Sequence, residues 1–129
     1  MNILIFLLTA GAGFLIAETL TIRVENVDIG KGHLMAGIFN DERTFPDNYF
    51  RGEKTAVSER TMIITIANLP KGQYAVSVYQ DSNDNEQLDK NIFGIPGEKY
   101  GFSNNSNRPD YKRCLFEFNG DMTIAIQLR

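Results

Sequence analysis

Cysteine, histidine and tryptophan are nearly missing from this chain: one Cys, one His and no Trp in 129 residues. The lone Cys114 permits no intrachain disulfide, so the fold must stand on an ordinary apolar core. Its setting, Cys-Leu-Phe-Glu-Phe, reads as a small buried thiol. His33 and Cys114 lie far apart in sequence, and no Ser-His-Asp or Cys-His spacing recommends nucleophilic catalysis. With no second His or Cys nearby, His33 reads as a surface residue and not as a metal ligand. An excess of positive charge is lacking too. Thirteen Lys and Arg against sixteen Asp and Glu give a net charge of -3. Nucleic acid and anionic lipid are therefore not expected as partners. No segment shows the helical period, and no apolar run reaches the roughly 20 residues that span a bilayer.

The apolar run that is present stands at the start. Asn2 to Ala17 carries no charged side chain and ends in small and apolar residues before Glu18. It reads as a secretory signal peptide cut after Ala17, with Leu15 at the third position before the cut, although no Lys or Arg precedes it. The expected organisation is a signal peptide over 1–17 and one domain over 18–129, exported to the periplasm or beyond and not inserted in the membrane after cleavage. No Cys stands directly after the signal, so a lipid-anchored mature end is not supported. About 110 mature residues can hold a core without disulfides.

Period-two alternation marks the rest of the chain. Leu20, Ile22 and Val24 share one face of a first strand, and Leu34, Ala36 and Ile38 one face of a second over His33 to Asn40. With the Gly-rich turn between them they read as a hairpin. Asp41 to Ser58 reads as a surface loop broken by Pro46 and Gly52, with a doubtful strand over Thr55 to Val57. Its Phe45, Tyr49 and Phe50 either cap the core or form a ligand patch. Met62, Ile64 and Ile66 mark another strand. Leu69-Pro70-Lys71-Gly72 then turns the chain into Gln73 to Gln80, the clearest hairpin. Arg113 to Phe118 reads as a strand, joined by Asn119-Gly120 to a last strand ending at Arg129. About seven strands without helices imply an all-β fold, an antiparallel sandwich, with a small closed barrel as the alternative.

The most chemically specific stretch is Asp81 to Asn105. Asp81, Asn83 and Asn85 stand at alternate positions, which is how a chain wraps a hard cation in oxygen ligands. The candidate calcium ligands are Asp81, Asn83 and Asn85 through side chains, Gln87 through its carbonyl, and Asp89 directly or through water. Glu86 stands where a tight loop would place Gly, and Ile92 where a sensor loop ends in Glu, so the stretch is not an EF-hand. Affinity is expected in the weak extracellular range of about 0.1–1 mM. The alternative is a metal-free loop ordered by Asx turns. Gly94, Gly97 and Gly101 read as positions of unusual backbone angle or close packing. Tyr100 and Phe102 would share one face, either plugging the sandwich end or touching a ligand.

Two motifs carry a resemblance. Leu69-Pro70-x-Gly72-x-Tyr74 resembles the hairpin of prealbumin-like sandwiches, including carboxypeptidase regulatory-like modules. The run Ala75-Val76-Ser77-Val78-Tyr79-Gln80-Asp81-x-Asn83-x-Asn85-x-x-Leu88-Asp89-x-Asn91-x-x-Gly94-Ile95-Pro96-x-Glu98-x-Tyr100-Gly101-Phe102 closely resembles small secreted bacterial proteins grouped as a domain of unknown function, number 2141. The resemblance covers essentially the whole mature chain. It implies export and an all-β sandwich, and no activity. Two positions depart from its pattern: Gln80 where the family usually has His, and Glu86 where it usually has Gly. The expectation is a non-enzymatic exported module with calcium as its one candidate cofactor and an envelope protein or glycan as partner. The alternative is a small-molecule-binding protein or hydrolase using the 81–105 and 45–51 loops.

Overall fold

Alternating burial builds two sheets in the computed structural model of the protein, which describes residues 18–82 and 98–129. The strands are β1 (Glu18–Glu25), β2 (His33–Phe39), β3 (Arg51–Ala56), β4 (Met62–Leu69), β5 (Gly72–Asp81), β6 (Tyr100–Phe102), β7 (Phe116–Phe118) and β8 (Met122–Gln127). One sheet runs β4-β1-β8, with β1 antiparallel to β4 and parallel to β8. The other runs β3-β2-β5, and the far edge of β5 is shared by β7 and β6 in turn. The protein is thus an all-β sandwich. Leu20, Ile22 and Val24 of β1 and Ile64 and Ile66 of β4 face Leu34, Ile38, Val76 and Val78 of the larger sheet. Each fully buried side chain of this kind contributes about 1.5–3 kcal/mol relative to exposure.

Most strands fall close to where alternation puts them, but β6 lies inside the stretch read as a loop, and the pairing does not follow expectation. All three expected hairpins cross between sheets. β1 and β2, β4 and β5, and β7 and β8 each place their two arms in opposite layers. A tight turn dictates reversal of the chain, whereas the sheet that receives the next strand is set by packing far away in sequence. β2 and β3 do pair directly, in register from His33↔Ala56 to Ile38↔Arg51. The doubtful strand therefore begins earlier than expected and ends at Ala56.

The expected strand over Arg113 to Phe118 is divided. A one-turn helix, α1 (Tyr111–Cys114), precedes β7. Asp110 caps it by accepting from the Lys112 and Arg113 amides, a cue that lay unread beside Pro109. Cys114 is fully buried in a second apolar cluster with Phe39, Ala75 and Phe102, and burial pushes its thiol pKa up. This cluster lies on the outer face of the larger sheet. Tyr100 and Phe102 join it there, their rings edge-to-face at 5.5 Å, instead of plugging the sandwich end. Ser103 fastens it by donating to the Cys114 carbonyl at 2.6 Å and accepting from the Val76 amide at 2.9 Å. Gly101 faces inward, and a Cβ there would fall 2.7 Å from Ile126 Cγ2 and 2.8 Å from the Gln127 carbonyl oxygen. Tyr100 and Arg129 exchange backbone hydrogen bonds at 3.0 and 3.2 Å, which ties the two sheets together at this corner.

Candidate functional site

Alternation along β5 decides what the root of the acidic stretch looks like. Tyr74, Val76, Val78 and Gln80 point between the sheets, so Asp81 must point to the outer face, where the register sets it opposite His33. Asp81 is fully buried. Seventeen residues later Glu98, also buried, accepts a hydrogen bond at 2.7 Å from the amide of Ser82. A carboxylate from the returning arm thus holds the outgoing arm. Gln80 anchors the same corner from within. Its amide nitrogen donates to the carbonyls of Asp28 and Lys31 at 2.7 and 2.8 Å, and its oxygen accepts from the Asp28 amide at 2.9 Å. Lys99 adds an ion pair to Asp28 at 2.9 Å and a hydrogen bond to the Asn26 carbonyl at 3.0 Å. The Lys99 contact is the main cause of the lowered Asp28 pKa. Both arms of the acidic stretch are therefore fixed to the 26–32 turn.

The turn itself needs glycine. Gly32 has φ +63, and a Cβ there would fall 1.9 Å from the Asp81 carbonyl oxygen. The backbone at the root of the stretch thus lies directly against that turn.

Of the candidate calcium ligands, Asp81 alone lies among the described residues, at the mouth of the stretch. Asn83, Asn85, Gln87 and Asp89 lie outside the described residues, as do Gly94, Gly97 and the signal segment 1–17. Among the described residues no three of His, Cys, Asp and Glu converge to hold a metal ion. The described donors at the root, Asp81 and Glu98, are hard carboxylate oxygens of the kind calcium takes. Glu98, Lys99 and Asp28 were not singled out from the sequence, and Gln80 only as a departure from the family pattern. Glu98 and Gln80 stood in the motif that carries the resemblance; Lys99 and Asp28 gave no signal. Gln80, which replaces the usual His, serves the turn beneath the stretch and not its ligand face.

The aromatic loop divides its roles. Phe45 packs edge-on against Phe39 at 4.9 Å and Tyr111 at 5.6 Å, which is the capping role. Tyr49 and Phe50 remain 58% and 47% exposed. Asp41 opens the loop, and it accepts from the Arg43 side chain at 2.8 and 3.1 Å and from the Arg43 amide at 2.9 Å. The guanidinium and then the amide hold its pKa down to about 2. Any stability from this contact is present above the unfolded pKa and is lost as pH falls through the folded value. An NMR titration should find Asp41 half-protonated near pH 2, and Arg43→Ala should bring the midpoint back toward the ordinary carboxylate range. An unchanged midpoint would show that the pair does not hold in solution.

These features define a class: a β-sandwich with an acidic stretch rooted at one corner. The family model described as "Uncharacterized protein conserved in bacteria (DUF2141)" matches residues 22–125, and the chain belongs to that family. No curated protein and no solved structure matches the chain.

Proposed function

We propose that the protein is an exported, non-enzymatic binding module with a prealbumin-like sandwich. Its 81–105 stretch takes up calcium weakly and presents a recognition surface to a partner at the cell envelope. The observation that carries this reading is the pair of buried carboxylates, Asp81 and Glu98, at the two arms of one acidic stretch. Asp81 opens the run of alternate Asp and Asn residues, and Glu98 holds the returning arm against the Ser82 amide. The firm seating of both arms also suits a surface that must keep its shape to be recognised.

Calcium at millimolar concentration should raise the melting temperature of the exported chain. At a concentration ten times a Kd of about 0.3 mM, the gain is about 1.4 kcal/mol, or roughly 5 °C for a domain of this size. Asp81→Ala combined with Asp89→Ala should abolish the rise. An unchanged wild-type melting temperature with added calcium rejects the calcium site.

A further inference from the structure

The Asn119-Gly120 turn is a motif of the sequence that the acidic stretch leaves without a role. Every other Asn of the chain is followed by a residue with a side chain. As a tight hairpin turn, Asn-Gly takes positive φ at both residues. Here Gly120 alone of the two has a positive φ, +156. The cause lies in the layers: β7 pairs in the larger sheet and β8 in the smaller, so no ladder joins the two arms of the turn. Among the described residues, no hydrogen bond engages the Gly120 amide or the Asn119 side chain. Asn119 is exposed, and a Cβ placed on Gly120 would have nothing within 4 Å. Other surface Asn side chains are tied down. Asn104 donates to the Arg113 and Leu115 carbonyls at 3.0 and 2.9 Å, and Asn105 accepts from the Gln127 amide at 3.1 Å.

A side-chain amide with no partner, next to an unhindered backbone amide with no partner, can react with it. Intramolecular attack requires the reacting atoms to come within about 3–3.5 Å in an aligned approach. Glycine leaves that approach open and lets the backbone swing into it. We propose that Asn119 is a site of spontaneous self-modification. The Gly120 amide nitrogen loses its proton to water and attacks Asn119 Cγ. The new N–Cγ bond closes a five-membered succinimide, the Cγ–Nδ2 bond breaks, and the nitrogen leaves with a proton as ammonia. Water then opens the ring at either carbonyl. One product is aspartate; the other is isoaspartate, in which the main chain passes through Cγ and is one methylene longer. Neither oxidant nor reductant takes part. Each event adds a negative charge to a chain of net charge -3, close to Asp121, whose carboxylate holds the Thr19 amide at 2.7 Å. The turn that carries the chain between layers therefore changes with age in charge and, in the isoaspartyl form, in length.

The test is ageing of the purified, folded chain at physiological temperature and mildly alkaline pH, followed by tryptic mass spectrometry. The 114–129 peptide contains Asn119 and no other Asn. It should gain about 1 Da as NH2 gives way to OH. Part of the product should be isoaspartate, which isoaspartyl methyltransferase labels. The rate should exceed that at Asn105 by about tenfold or more, and stay within about threefold of the rate in the isolated 114–129 peptide. Gly120→Ala should slow it about tenfold, in the chain and in the isolated peptide alike, so the result stands even where the variant chain does not fold. No mass gain in the 114–129 peptide overturns the proposal. So does a rate in the folded chain more than about tenfold below that of the isolated peptide, which would show the turn held closed. A mass gain without isoaspartate, indifferent to Gly120→Ala, would be direct hydrolysis of the side chain and overturns it too.

Discussion

Gly32→Ala should lower stability by about 3 kcal/mol or more, read as a fall of roughly 10 °C in melting temperature. Two costs combine. The left-handed backbone at φ +63 disfavours any side chain, and the new Cβ would meet the Asp81 carbonyl oxygen at 1.9 Å. That carbonyl cannot retreat freely, because Asp81 is held in register with His33 across β2 and β5. Gly30→Ala is the internal control. It shares a positive φ of +76 but has nothing within 4 Å of the new Cβ, so it should cost only about 1 kcal/mol. Equal losses from the two variants would show that the close approach of the turn to the root of the stretch is absent in solution.

Gln80→Leu should cost about 2–3 kcal/mol in chemical denaturation. The side chain is 1% exposed, and leucine keeps its bulk. What is lost are three hydrogen bonds, leaving the Asp28 amide and the Asp28 and Lys31 carbonyls without their partner. The turn is partly exposed, so water recovers some of the loss, which keeps the figure below the full penalty for three orphaned groups. Gln80→Glu should be at least as harmful at neutral pH, since it removes both donated bonds and puts a charge in the same buried space. A loss below about 0.5 kcal/mol for Gln80→Leu would mean that the 26–32 turn does not depend on this anchor.

These two residues also show what the sequence could and could not reveal. Period two located most strands and their inward faces, because burial on one side leaves its mark on alternate residues. It could not say that the Pro70-Gly72 and Asn119-Gly120 turns each carry the chain from one layer to the other. Both arms look the same locally whichever sheet receives them. Gln80 was legible only as a departure from a family pattern, and its partners, Asp28 and Lys31, lie about fifty positions away. Asp81 was singled out for its spacing with Asn83 and Asn85. Its burial and its neighbour Glu98 were not, since they depend on how the two arms return to one corner. Tyr49 and Phe50 were singled out with Phe45 as one group. Only the packing separates the ring that caps from the rings that stay exposed.

The central claim is that the acidic stretch takes up calcium at its rooted end. The most direct measurement is a calcium titration of the exported, isotope-labelled chain followed through its backbone amide resonances. The account expects saturable shifts with a midpoint of about 0.1–1 mM, confined to 81–105 and the 26–33 turn packed against it, and removed by Asp81→Ala with Asp89→Ala. Amides that stay unmoved to 10 mM calcium, or shifts spread over the surface without saturation, would contradict it.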